Sequence, residues 1–422
     1  MKNITVKEIL GLLSREIQRR PWLIFSLIAL LSIIPLLAVV NDEVHGDVLL
    51  YERVGDQIED GAIPYKETVL EYPPYAIAVF WVPRILCGER IDYQWAFAIS
   101  VLAADLLLKL LLFKFGNRFS GLRRFLPMLL YSAVTPLWRF WFVQRYDIFP
   151  ALMTVAALVL FWDRRFIWAG VMIALAGGVK MYPLLFAPPL WAFATRQSGG
   201  KKFAAGVTVG LLPLAVLAFF IPWWQFASFH GARGLQVESL YASLLWLGNH
   251  FNLVSVRWMG VKSWLDITGP AADRVLPWAK ILFATATLAG VALSAAAARF
   301  ATQPTPAATA RLLLLPVLGF VAFNQVLSPQ YMVWLLPLAA LASLDKNPNP
   351  ILVLIAATTL TPVFYPARDY GSGLILPKTL VLVARNLWLV TVFFILAAEF
   401  SFSLWRTFIL PRLQRNKAHS QK

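Results

Sequence analysis

The sequence predicts an all-α polytopic integral membrane protein. Three observations carry that expectation. Hydrophobic residues make up 59% of the 422 and charged residues only 14%, where a soluble domain carries about 25% charged residues. The mean hydropathy is +0.66. Apolar runs long enough to cross ~30 Å of hydrocarbon recur along the whole length. Helices are favoured because a spanning segment must satisfy its own backbone hydrogen bonds. No internal repeat or domain boundary interrupts the pattern, so a single integral-membrane domain over 1–422 is expected.

The elements follow in order. Residues 22–40 form an apolar run behind Lys2, Lys7, Arg15, Arg19 and Arg20, which reads as an uncleaved signal anchor. Residues 72–88 are apolar but short, and Pro73, Pro74, Pro83 and Arg84 break them. They are expected to lie in or dip into the outer interface. Further spans are expected at 93–113, 125–143, 147–162, 166–179, 181–194, 203–222, 278–298, 312–327, 331–343, 350–366 and 379–405, about 12 crossings in all. The two short pieces 166–179 and 181–194 meet at Lys180.

Charge sets the orientation. With both termini in the cytoplasm, the inner segments hold 22 of the 38 Lys and Arg, including a basic tail at 406–422, as the positive-inside rule requires. The net charge of +16 is thus mostly a topology signal and does not point to nucleic acid. The expected location is the cell membrane, with the bilayer as partner. Two long segments, 41–92 and 223–277, fall on the non-cytoplasmic face and form the natural walls of a site there. Cys87 is the single cysteine, so no intrachain disulfide is possible.

The segment from Asn41 to Pro74 is the anomaly of this chain. It holds nine carboxylates (Asp42, Glu43, Asp47, Glu52, Asp56, Glu59, Asp60, Glu67 and Glu71) against Arg53 and Lys66. Asp47 lies close to the end of the first span, where a carboxylate can act as general base towards a hydroxyl near a lipid headgroup. Gly61, Pro64, Pro73 and Pro74 set fixed turns around it. The pattern D-x3-Y-x9-G-x2-P-Y-x5-E-Y-P-P runs from Asp47 through Tyr51, Gly61, Pro64-Tyr65 and Glu71-Tyr72 to Pro74. It is followed by RYDIFPALM at Arg145–Met153, GGVKMYPLLFAPP at Gly177–Pro189, RGLQVESLYAS at Arg233–Ser243 and SPQYMVWLLP at Ser328–Pro337.

These five motifs in this order resemble the GT-C glycosyltransferases, and most of all glycosyltransferase family 87, the polyprenyl-phosphate-mannose-dependent mannosyltransferases. The resemblance implies a GT-C-like fold with interfacial helices in the first outer loop. It implies an inverting transfer from a polyprenyl-phosphate sugar to a lipid or glycan acceptor on the outer face. It also implies that an acid of the first outer loop is the base. Many relatives carry a paired acidic motif there. This sequence has Asp42-Glu43, with Asp47 standing apart, and the spacing to Pro64-Tyr65 favours Asp47. Tyr51, Tyr65 and Glu71, from the same motif, are expected substrate contacts.

Lys180, between two half-length apolar pieces, is an intramembrane cation and so a functional candidate. A departing lipid phosphate is the obvious partner, because its charge grows as the glycosidic bond breaks. Arg145 can fork onto phosphate oxygens, with Asp147 either orienting it or binding sugar hydroxyls. In the second outer segment, Arg233 suits phosphate, whereas His230, Gln236 and Glu238 suit sugar hydroxyls. Gln330 and Tyr331 are further contact candidates, and Trp223-Trp224 can stack on a sugar ring. Asp105 and Lys109, four apart, read as an intrahelical pair. Lys280, Arg385 and Glu399 lie near span ends and need no special role. No protein-bound cofactor or transition-metal site is expected, and a divalent ion shared between Asp47 and phosphate is left open. The rival readings are a secondary transporter or lipid flippase without covalent chemistry, and a non-catalytic assembly subunit. A transporter has broken helices around a midplane site, but it usually shows related halves, which this sequence lacks.

Overall fold

The computed structural model describes residues 19–40, 47–68, 70–87, 91–261, 264–303, 305–364 and 374–409. The Asp42-Glu43 pair, Lys2, Lys7, Arg15 and the basic tail from residue 410 lie outside them.

The chain opens with α1 (Pro21–Leu37), then α2 (Asp47–Glu59), α3 (Ala76–Cys87) and α4 (Tyr93–Gly116). The expected span 125–143 is broken into α5 (Leu126–Val134), a 3-10 turn and α6 (Arg139–Val143). Pro136 explains the break, because proline disturbs the ladder inside a helix. Next come α7 (Ile148–Trp162) and α8 (Phe166–Val179). A 3-10 turn at Tyr182–Phe186 then leads into α9 (Ala187–Arg196) and α10 (Gly200–Leu217). The second polar segment holds α11 (Phe226–Ala232), β1 (Leu235–Gln236), α12 (Leu240–His250), β2 (Arg257–Val261) and β3 (Trp264–Thr268). The chain closes with α13 (Pro270–Phe300), α14 (Pro306–Ala322), α15 (Met332–Ala342), α16 (Asn349–Thr359), α17 (Thr361–Phe364) and α18 (Leu376–Phe408).

Among the described residues, α4, α10, α13 and α18 are long and apolar enough to cross a membrane, and seven apolar helical stretches are shorter. The twelve residues of α3 reach about 18 Å at ~1.5 Å per residue, too short for ~30 Å of hydrocarbon. Its Trp81, Val82, Ile85 and Leu86 are exposed. Its Arg84 pairs with Asp56 and Glu59 of α2, at 2.8 Å each.

The expectation of an all-α chain needs correction. Strands β1, β3 and β2 form an antiparallel sheet in that order, with Gln236 opposite Asp266 and Trp258 opposite Ile267. Leu235, Val237, Val256 and Ile267 gather with Trp246 and Leu382 into a small core separate from the main helical one. That apolar underside is what holds strands in a connection expected to be loop. The last eight residues of 223–277 are already helical, because α13 starts at Pro270.

Inside the helical core, Asp105 and Lys109 form a fully buried pair on α4, and Tyr131 of α5 donates to Asp105 at 2.8 Å. Arg311 of α14 binds Glu399 of α18 at 2.6 Å. Asp105, Lys109 and Arg311 are thus buried charges with partners, as low-dielectric surroundings demand.

Candidate active site

Asp47 begins α2, where the helix dipole favours a negative charge. Val48, Tyr51, Val54 and Gly55 recur at helical spacing and are buried, which fixes the face that Asp47 presents. Asp47 Oδ2 pairs with Arg145 Nη1 at 2.5 Å. The Tyr51 hydroxyl, one turn on, lies 3.5 Å from the same oxygen. The Tyr51 ring stacks on Phe80 at 4.3 Å and meets Tyr72 and Tyr146 edge-on. Burial, and then the Asp47 charge, push the Tyr51 hydroxyl well above its ordinary pKa. It therefore stays a hydrogen-bond donor near neutrality.

The far end of the first polar segment is tied to the break at Lys180. The Tyr75 amide donates to the Gly178 carbonyl at 2.9 Å, and the Tyr75 hydroxyl donates to the Gly210 carbonyl at 2.8 Å. Gly178 is required because a Cβ there would stand 2.1 Å from Tyr75 Cδ2. Two residues on, Lys180 leaves the helix with extended dihedrals. Its ammonium pairs with Asp147 Oδ1 at 2.6 Å. Trp334 Nε1 donates to the same oxygen at 2.6 Å. The rings of Tyr146, Trp334 and Tyr331 lie 4.5, 5.1 and 5.8 Å from the ammonium, within cation–π range. Asp147 thus orients Lys180, whereas the sequence had suggested Arg145; Arg145 instead serves Asp47.

The sheet positions the third cation. Arg233 Nη2 lies 3.5 Å from Asp266 Oδ1 on β3, and the Gly234 amide donates to Asp266 Oδ2 at 2.9 Å. On β1, Gln236 Nε2 donates to Glu238 Oε2 at 3.0 Å. His230 of α11 contacts the Glu71 carbonyl at 3.2 Å, which joins the two polar segments directly.

One cavity of about 990 Å³ receives all of this. Asp47, Tyr51, Glu71, Arg145, Lys180, His230, Arg233, Gln236, Glu238, Gln330 and Tyr331 line it. Two expected contacts do not line it. Asp147 lies behind Lys180 at 1% exposure. Tyr65 has φ +64 and donates to the Tyr72 carbonyl at 2.5 Å, so it shapes the turn before Glu71. Trp223 and Trp224 also fall outside the lining; Trp223 instead donates to the Leu214 carbonyl at 2.9 Å. The volume lies at the upper end of ordinary ligand cavities, about 300–1,000 Å³.

Two residues without an expected role serve the site. Lys280 lines the cavity and donates to the Gly231 carbonyl at 2.9 Å. Arg385 is fully buried in α18 and donates to the Glu238 carbonyl at 2.7 Å, with Asn386 beside it at 3.1 Å. Asp266, Trp334, Tyr146 and Gln325 were also missed. The first three hold site residues that sequence reasoning had named, and the last lies on the wall itself.

Burial, and then the Asp47 charge, raise the Glu71 carboxyl above the ordinary carboxylate range, against the pull of Tyr72, Arg233 and Lys180. His230 lines the cavity and is exposed. Packing around it holds the imidazole below its usual pKa, and the Lys180 and Arg233 charges add to that despite its contact with the Glu71 carbonyl. Five cations meet here: Arg53, Arg145, Lys180, Arg233 and Lys280. Five carboxylates face or back them: Asp47, Glu71, Glu238, Asp147 and Asp266. Among the described residues, no group of three or more His, Cys, Asp and Glu gathers to hold a metal ion.

The sequence profile of Glycosyltransferase family 87 matches residues 70–329. The chain belongs to this family. It is a membrane glycosyltransferase of the GT-C superfamily. The family 87 chain is also similar to ArnT from Cupriavidus metallidurans in the apo state. The two are 17% identical with a TM-score of 0.48, over 91% of this chain and 78% of that one. No curated protein sequence matches the family 87 chain.

Proposed function

We propose that this glycosyltransferase moves a sugar, mannose in our reading, from a polyprenyl-phosphate donor to a hydroxyl of a lipid-linked or glycan acceptor, with inversion. The site then lies on the non-cytoplasmic face of the cell membrane. The observation that carries this reading is the Asp47–Arg145 pair on the wall of the same cavity as Lys180. It gives a base and phosphate-binding cations one shared space.

In the reaction, Asp47 takes the proton of the acceptor hydroxyl. The hydroxyl oxygen attacks the anomeric carbon as the bond from that carbon to the phosphate oxygen breaks. The electron pair leaves with the polyprenyl phosphate, whose added charge Lys180, Arg145 and Arg233 stabilise. Cations held in place stabilise such growing charge without reorganising at the moment of reaction. Arg145 touches the base and can reach the phosphate, so donor binding draws it from Asp47 and frees the carboxylate for the acceptor. The exposed apolar side chains of α3 and the open cavity mouth suit lateral entry of a prenyl tail.

The test is incubation of purified protein with labelled polyprenyl-phosphate-mannose and a membrane lipid extract. The expected result is a labelled glycolipid or glycan with inverted anomeric configuration. Substrate-dependent flux in liposomes with no covalent product would overturn the reading in favour of a transporter.

A further inference from the structure

Gln236 and Gln325 stand side by side on the cavity wall. The Gln236 backbone N–H donates to the Gln325 backbone carbonyl at 2.9 Å. Both residues line the cavity, and they are only 5% and 7% exposed. Gln236 Nε2 faces Glu238 Oε2. A carboxylate only accepts, so this contact turns the amide oxygen of Gln236 away from Glu238. That oxygen, and the amide oxygen of Gln325, are buried without a hydrogen-bond partner. Each unsatisfied acceptor disfavours the empty site and rewards a ligand that donates.

The wall is also held rigidly. Arg385 and Asn386 both grip the Glu238 backbone carbonyl, and Asn386 Nδ2 donates to Ser243 Oγ at 3.0 Å. Asn324, next to Gln325, accepts from the Val326 amide at 2.9 Å. Phosphate oxygens and prenyl carbons cannot donate to these acceptors, whereas sugar hydroxyls can. The same loop runs on to Tyr331, whose ring lies 5.8 Å from the Lys180 ammonium.

We propose that the amide oxygens of Gln236 and Gln325, with the Glu238 carboxylate, form a pocket that accepts from the hydroxyls of the sugar joined to the donor phosphate, with Gln325 a specificity residue. This rests on the polyprenyl-phosphate donor reading above, because the sugar bonded to the donor phosphate is the one transferred. The pocket reads the positions of donating hydroxyls, and it discriminates against deoxy sugars. Arg385 and Asn386 act as positioning residues for Glu238.

The test measures binding to the full-length protein in detergent. The probes are a short-chain polyprenyl-phosphate-mannose, its single-position deoxy analogues, and polyprenyl methyl phosphate, which keeps the charge and lacks the sugar. Wild type is expected to bind the mannose probe about tenfold or more tighter than the methyl probe, and at least one deoxy analogue about tenfold weaker. Gln325→Met and Gln236→Met are expected to lower the mannose-to-methyl ratio towards one and to remove the deoxy penalty. Gln325→Glu keeps the acceptors and is expected to keep the preference. Wild type indifferent to every deoxy analogue overturns the pocket, and that result needs no variant. Folded Met variants that keep the ratio overturn it as well. Transfer is assayed alongside. Sugar preference without transfer would refute the transferase reading and leave the pocket standing; transfer without hydroxyl sensitivity would do the reverse.

Discussion

Replacing Gly178 by Ala sets two opposed effects against each other. Alanine near the end of a helix is better than glycine by at most about 1 kcal/mol. The new Cβ, however, would stand 2.1 Å from Tyr75 Cδ2 and 2.7 Å from Cε2. Carbon atoms pack at ~3.5–4.0 Å, so the ring must retreat by about 1.5 Å. It cannot do so freely, because the Tyr75 amide holds Gly178 itself and its hydroxyl holds Gly210. Overpacking costs about 1–3 kcal/mol, and each strained hydrogen bond adds about 0.5–1.5 kcal/mol. The net expectation is a loss of about 1–5 kcal/mol, read as a lower unfolding temperature in detergent. Gly178 stands two residues before Lys180, and Tyr75 four residues after Glu71, so a raised KM for the donor should accompany it. A Tyr75→Ala, Gly178→Ala double variant should recover part of the loss, because contacting residues are not additive. Gly178→Ala with a raised unfolding temperature and unchanged transfer would refute the wedge.

Asp47→Asn should lower transfer by about 10²–10⁴-fold, with donor binding retained; full transfer by a folded, membrane-inserted variant would remove Asp47 as the base. Lys180→Met strands the 1%-exposed Asp147 carboxylate and should destabilise by about 3–5 kcal/mol. Adding Asp147→Asn should restore stability but not transfer, and thermal unfolding with a labelled-donor assay separates the two. The raised Glu71 value means the folded state holds a proton that the unfolded chain has already released. Its stabilising contribution is therefore present in acid and lost as pH rises through the folded value. Glu71→Gln should remove that slope and gain on wild type towards neutral pH, whereas parallel unfolding curves would contradict the assignment.

Much of the site was legible because local spacing encodes it. Asp47 to Tyr51 is one helical turn, and Lys180 between two half-length apolar runs marks a real break. The pairing of charges was not legible. Asp147 finds Lys180 across 33 positions, and the tryptophan sharing its oxygen is 187 away. Only the folded chain brings these together. Arg385 was misjudged because distance from a span end says little in a helix as long as α18, which buries it fully. The sheet was missed because β1 is two residues long and its register depends on Asp266 reaching back to Arg233 and Gly234. Twelve crossings remain an expectation, since most of the helices are shorter than a full span and their depth depends on neighbours.

The five cations on the cavity wall, and the five carboxylates that face or back them, carry a last consequence. The chain as a whole is strongly basic, yet the site, with Asp147 and Asp266 counted behind the wall, is formally close to neutral. Such a space holds little standing attraction for the anionic phospholipids around it, so it resists being clogged by bulk membrane lipid. A monoanionic donor unbalances the site by one charge when it enters. Glu71, whose carboxyl is already raised above the ordinary carboxylate range by burial and the Asp47 charge, lies on the wall that meets this added charge.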